Sequence, residues 1–257
     1  MQGSSAQRDH PTVLLIDDDM VSREVMAASL ALDGFTVHTA MDGAASLAML
    51  DRGECAPGVI LLDAQMPGLN GIRLIAELRG RGKAAIIAIS ASNPPREVIA
   101  SADGFLLKPF SAGTLRRLLE EHRTQARPTE ASAGDSYLDP VQPVVNAETL
   151  ARLRAMMPEA KVREIYTAIV ADLALEQSAL EAAIALGDAA EVRRIGHAIK
   201  GGCGMAGALQ AARIGARIES GILEGEGNQL NNRIGVLGDL RAATLNLERM
   251  LEAEFPA

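Results

Sequence analysis

The chain has 257 residues, enough for two modest domains, with 48% hydrophobic and 23% charged residues but 2% aromatics and no Trp. A formal net charge of −8 leaves no basic stripe to displace counterions, which argues against a nucleic-acid binder. Cys55 and Cys203 stand far apart without C-x-x-C spacing, excluding a zinc or disulfide framework.

The segment Met1 to His10 is polar, lacks the apolar core of a signal peptide, and is followed by no run long enough to span a bilayer. A soluble, cytoplasmic protein is expected. From Thr12 to Arg123 short apolar runs alternate with amphipathic segments: Val13–Ile16, Phe35–Thr39, Val59–Leu62, Ala85–Ile89 and Phe105–Leu107 read as strands. Several are apolar without alternation, as central strands of a parallel sheet covered on both faces must be. Helical patterns lie between them, such as Ile72, Ile75, Leu78 and Leu115, Leu118, Leu119. Five such repeats predict a doubly wound α/β domain over residues 11–124, with its site at the carboxyl ends of the strands.

Residues 125–145 break the pattern. Pro128, Pro140 and Pro143 among small polar residues mark a linker, and Tyr137, Leu138, Val144 and Val145 are placed to dock part of it. Residues 146–255 carry no strand signal. Asn146 and Asp188 fit N-caps, and Val162, Ile165, Tyr166, Ile169 and Leu173 form a helical stripe continued by Leu180 and Ile184. Gly187-Asp188 ends that helix and starts the next. Ile214 and Ile218, then Leu237, Leu240, Leu245 and Leu247, extend the pattern to an antiparallel bundle of four or five helices.

Asp17, Asp18 and Asp19 follow the first strand directly, and Asp63 follows the third. Carboxylates gathered at strand ends repel one another unless a hard divalent cation neutralises them, and Mg²⁺ with oxygen ligands fits. Ser90 ends the fourth strand; Lys108 ends the fifth, before Pro109. A carboxylate nucleophile, a hydroxyl, an ammonium and a metal form a phosphoryl-handling set. Taken alone, Asp19 also fits a simple N-cap for a helix beginning near Met20, and Lys-Pro an ordinary turn.

Asp17-Asp18, Asp63-Ala-Gln-Met66-Pro67-Gly-Leu-Asn-Gly71, Ser90-Ala91 and Lys108-Pro109 together resemble the receiver domain of bacterial response regulators. The resemblance implies that Asp63 is phosphorylated. It implies that Asp18, Asp63 and the carbonyl of Gln65 hold Mg²⁺ directly, with Asp17 acting through water, and that Ser90 and Lys108 bind the phosphoryl group. Phe105 falls where that family keeps a switch aromatic. The interval from Ser90 to Lys108 is about one helical turn shorter than the family's, around Asn93-Pro94-Pro95, in a helix that receivers use for output.

The second signal is His197-Ala-Ile-Lys200-Gly201-Gly202-Cys203-Gly204-Met205-Ala206-Gly207. At about 100° per residue, His197, Lys200, Gly201 and Gly204 share one helix face with Arg193 and Arg194, while Val192, Ile195, Ile199 and Ala206 face the core. Each interior glycine costs about 1 kcal/mol against Ala, so bare backbone beside a solvent-facing histidine points to close approach of another protein surface. The alternative, that the glycines only end the helix, leaves Lys200 and the orientation of His197 unexplained. A neutral imidazole can accept a phosphoryl group, with Lys200 as counter-charge. This segment resembles the histidine phosphotransfer (HPt) domain; Gly207-Ala208 and Ile218-Glu219 fit that family's next helix, and Gly202 stands where the family often has Ser.

The two resemblances imply a two-component phosphorelay protein. It would be no kinase, since neither a Gly-rich lid nor an Asn-box pattern occurs, and it would catalyse only the phosphorylation and dephosphorylation of its own receiver. A histidine kinase would donate in trans and a response regulator would receive, with neither nucleic acid nor membrane as partner. The alternatives are a phosphorylation-gated interaction protein and a phosphate sink for another regulator. A small-molecule phosphatase is disfavoured, because Asp63 lacks a D-x-D pair.

Overall fold

Aliphatic runs become strands, and polar turns after each one release the chain into a helix. The computed structural model describes residues 11–66, 71–92, 96–123, 143–221 and 229–256. Residues 67–70 of the Asp63 motif, Pro94-Pro95 and most of the expected linker, with Tyr137 and Leu138, lie outside them.

Strands β1 (Val13–Ile16), β2 (Val37–Ala40), β3 (Val59–Asp63), β4 (Ala85–Ser90) and β5 (Gly104–Leu107) pair in parallel in the order β2-β1-β3-β4-β5. Phe35, expected in the second strand, is buried just before it. Helices α1 (Met20–Leu32), α2 (Gly43–Asp51), α3 (Gly71–Arg79), α4 (Arg96–Ser101) and α5 (Ala112–Arg123) cover both faces. Because side chains alternate along a strand, Val13, Leu15, Leu61, Ile87 and Ile89 pack with α1 and α5, while Leu14, Ile16, Ile60 and Leu62 pack with α3 and Val98 of α4. Helix α4 has only six residues, consistent with the short interval read from the sequence. Ile72, expected on the buried face of α3, is exposed; Leu74, Ile75 and Leu78 supply that face.

Among the described residues, five helices follow: α6 (Ala147–Met156), α7 (Glu159–Leu186), α8 (Ala189–Met205), α9 (Leu209–Glu219) and α10 (Gln229–Glu254). Asn146 and Asp188 cap α6 and α8, accepting from the Thr149 and Glu191 amides at 2.9 and 3.0 Å. Gly187 closes α7 in the left-handed conformation with φ of 69°, where a side chain would be strained. The predicted stripe of α7 is buried, and the Tyr166 hydroxyl donates to the Ala206 carbonyl at 2.8 Å. On α10, Leu240 and Leu247 are buried, whereas Leu245 is exposed, against expectation. Helices α8 and α9 cross backbone to backbone: a Cβ added at Gly196 would lie 2.5 Å from the Glu219 nitrogen, and one at Gly215 would lie 2.5 Å from the Lys200 nitrogen. No helix among the described residues is long and apolar enough to cross a membrane.

The bundle is seated on the sheet's α1 side. The apolar cluster beneath α1 runs on into Leu153, Ile199, Cys203 and Met205, and Lys161 of α7 pairs with Glu24 of α1 at 3.2 Å. This seating sets the geometry of the site.

Candidate functional site

Parallel register brings the strand-end residues together. Asp63 closes β3 opposite Ile89, and Ser90 closes β4 one residue further on, fully buried. Lys108 Nζ donates to Oδ2 of Asp17 and Oδ2 of Asp63, both at 2.6 Å, and to Ser22 Oγ at 3.1 Å. Ser22, which sequence reasoning did not single out, donates in turn to Asp17 Oδ2 at 2.7 Å. Burial opposes charge on Lys108, yet the two carboxylates hold its pKa above the ordinary value. Burial raises Asp17 and Asp18, and the negative charge of Asp63 adds to both shifts.

Ligand oxygens of Asp17, Asp18 and Asp63 lie within 4.8 Å of one another. Three carboxylates against one ammonium leave negative charge uncompensated, and the donor set is all hard oxygen, so the residues fit Mg²⁺. The Gln65 amide donates to Asp63 Oδ1 at 2.9 Å, which holds the backbone of Gln65 beside the set. Phe105 is half-buried on β5, against the α3 side of the sheet.

The second centre lies on α8. His197 Nδ1 is 2.8 Å from Glu219 Oε1 at the end of α9, and Lys200 Nζ is 3.2 Å from Glu219 Oε2. One carboxylate therefore orients the imidazole and takes the charge of Lys200. Partial burial pushes Glu219 up, but its bonds to His197 and Ser92 and the Lys200 charge outweigh this and hold it down at about 2. Nδ1 is turned to the carboxylate, which leaves Nε2 at the other side of the ring.

Family models match the chain twice: a response regulator receiver domain over residues 13–120 and an Hpt domain over residues 164–253. The chain carries a receiver domain followed by an Hpt domain. Among curated relatives, response regulator MprA of Mycobacterium tuberculosis is 32% identical over 145 residues, covering 52% of this chain and 62% of MprA. MprA of Mycobacterium leprae is 32% identical over 140 residues, covering 50% and 60%. This chain thus spans less than two thirds of the length of those relatives. Among solved structures, chemotaxis protein CheY4 of Vibrio cholerae aligns at 29% identity and TM-score 0.39, covering 44% of this chain and 98% of CheY4. The receiver domain of Francisella response regulator 1452 aligns at 28% and 0.39, covering 46% and 100%.

The Hpt domain meets the receiver through the two centres themselves. Ser92, just after β4, sits with its Oγ 3.2 Å from His197 Nδ1, and a cavity of about 840 Å³ is lined by Asp18, Asp63 and Lys108 on one side and Arg193, Arg194 and His197 on the other. His197, expected to face solvent, is covered: its side chain is only 12% exposed, because the receiver rests on that helix face. Arg194 is held by a two-pronged pair to Glu191 at 2.8 Å. Sequence reasoning missed Ser92 and gave no role to Glu219. No periodic signal marks either, since each works only through a partner brought from another element.

Proposed function

We propose that the protein is a two-component phosphorelay intermediate in which Asp63 and His197 exchange a phosphoryl group within one chain. The observation that supports this best is the shared cavity, with the His197 imidazole bonded to the receiver's own Ser92. A histidine kinase in trans is the proposed donor and a response regulator in trans the proposed recipient. Asp17, Asp18, Asp63 and the Gln65 carbonyl would hold Mg²⁺, which when bound neutralises phosphoryl oxygens and screens the carboxylates.

In this reading an Asp63 carboxylate oxygen attacks the incoming phosphorus and the bond to the donor's leaving group breaks. Lys108 and Ser90 bind equatorial oxygens. In the second step the Nε2 lone pair of neutral His197 forms the new P–N bond as the P–O bond to Asp63 breaks, returning the carboxylate. The ring keeps its Nδ1 proton, and the positive charge it acquires is balanced by Glu219. The reaction is reversible, so the direction of flow follows the supply of donor.

The test is a dilution series. Asp63 is labelled with acetyl phosphate and Mg²⁺, and acid-labile label is followed on His197. Transfer at a rate independent of protein concentration, lost in Asp63→Asn and in His197→Gln, is the expected result. No transfer, with both residues separately phosphorylatable, favours the gating alternative, for which the covering of His197 by the receiver is the specific support.

A further inference from the structure

We propose that Asp19 makes this receiver selective for a histidine-bearing helix with bare backbone at one position, which the same chain supplies as Gly202. The proposal deepens the relay reading by naming the partner its receiver fits, namely its own Hpt helix.

The three glycines after Lys200 are physically different. A Cβ added at Gly204 meets nothing within 4 Å, and one at Gly201 would stand 3.5 Å from the Ala91 Cβ, an ordinary contact. At Gly202 it would stand 2.8 Å from Asp19 Oδ2 and 3.2 Å from both Asp19 Cγ and Oδ1. The first distance is shorter than real side chains tolerate, so something must move. Asp19 is poorly placed to do so. Its Oδ1 accepts from the Ser22 amide at 2.5 Å as the N-cap of α1, and its own amide donates to Asp17 Oδ1 at 3.0 Å. The carboxylate is thus tied through Oδ1 to the helix start, and the backbone that carries it is tied to the acidic loop.

The remaining response is for α8 to lift away from α1. Lifting α8 carries His197 away from Ser92 and widens the gap across which the phosphoryl group travels, and small misplacements of reacting groups cost rate steeply. A histidine-bearing helix with any side chain at this place meets the same obstacle. The carboxylate therefore excludes such helices while admitting the one tethered to it, which is selection by steric exclusion of the wrong partner.

The experiment uses the full chain and four variants: Gly202→Ala, Gly204→Ala, Asp19→Ser, and Asp19→Ser combined with Gly202→Ala. Alanine favours a helix over glycine, so both glycine variants are expected to fold. Serine keeps the N-cap but ends at Oγ, short of the Oδ2 that makes the contact. Two readouts are taken. One is the rate at which label moves from Asp63 to His197 after loading with acetyl phosphate and Mg²⁺; the other, which needs no phosphate, is backbone hydrogen exchange in α1. Gly202→Ala is expected to slow transfer about tenfold or more and to raise exchange in α1, while Asp63 still labels normally. Gly204→Ala is expected to match the parent. The double variant is expected to recover to within about threefold of Asp19→Ser alone. Parent-like transfer and exchange in Gly202→Ala would overturn the proposal, as would failure of Asp19→Ser to rescue it. If the parent itself transfers no label, the relay reading fails, and the exchange data alone decide whether Asp19 and Gly202 fit the two domains together.

Discussion

Removing the Glu219 carboxylate isolates what orients the histidine. In Glu219→Ala, His197 Nδ1 loses a charge-assisted hydrogen bond of 2.8 Å, and Lys200 loses its partner at 3.2 Å. Hydrogen bonds to charged groups contribute about 1.5–3 kcal/mol, and each 1.4 kcal/mol is about tenfold in rate. Positive charge develops on the ring as the P–N bond forms, so the loss falls on the transition state, and transfer to His197 should slow about 10- to 100-fold. Glu219→Gln keeps an acceptor without the charge and should lie between the two. Rapid-quench measurement of label moving from Asp63 to His197 gives the rates. Phosphorus NMR gives the site: phosphate on Nε2 in the parent, and a mixture of both ring nitrogens in Glu219→Ala. A Glu219→Ala rate within twofold of the parent, with phosphate still confined to Nε2, would refute the reasoning. The same carboxylate carries a pH signature. Glu219 is held at about 2 against an ordinary 4.5, so its ionised form stabilises the folded protein. A depressed carboxylate contributes fully above its unfolded pKa and loses that contribution as pH falls through the folded one. The stability gap between parent and Glu219→Gln should therefore close between about pH 4.5 and 2, and a gap that stays constant across that window in denaturant titrations would contradict the assignment.

Asp63→Asn should abolish base-labile labelling of the receiver by acetyl phosphate, and a chelator should do the same by leaving the carboxylates to repel the incoming group; persistent acid-stable label on the mutant would show another nucleophile. Gly196→Ala should destabilise the bundle by about 2 kcal/mol, because its Cβ meets the Glu219 amide across the α8–α9 crossing, and urea denaturation measures it; an unchanged midpoint would mean the crossing relaxes freely. Tyr166→Phe should cost about 1 kcal/mol through the lost bond to the Ala206 carbonyl, without slowing phosphorylation of Asp63.

Much of this architecture is local information. Apolar runs of four to six residues placed the three central strands β1, β3 and β4, because a strand covered on both faces must be apolar throughout. Asn146, Asp188 and Gly187 marked helix ends through caps that span three residues or fewer. Residues at the carboxyl ends of parallel strands lie along one edge of the sheet, and so Asp17, Asp63, Ser90 and Lys108 were legible as a candidate set, whereas the order of the strands came only from the fold. Their arrangement around Lys108 was not. Ser22 joins it from the first turn of α1, where a serine is indistinguishable from any polar helix residue. Ile72 and Leu245 show the same limit from the other side, since helical spacing suggests a buried face without fixing which neighbour covers it.

The sequence by itself determined which residues stand at the strand ends and which helix face carries His197. Tertiary structure decided what those residues meet. Glu219 reaches His197 only because Gly196 and Gly215 let α8 and α9 cross closely, a fact that depends on both helices at once. Ser92 reaches the imidazole from 105 residues away in the chain, and the space a Cβ would need at Gly202 is occupied by Asp19 at the start of α1. Local pattern encodes which face of an element is apolar; it carries no record of which distant side chain arrives there, because that contact is fixed by packing among elements that sequence periodicity treats one at a time.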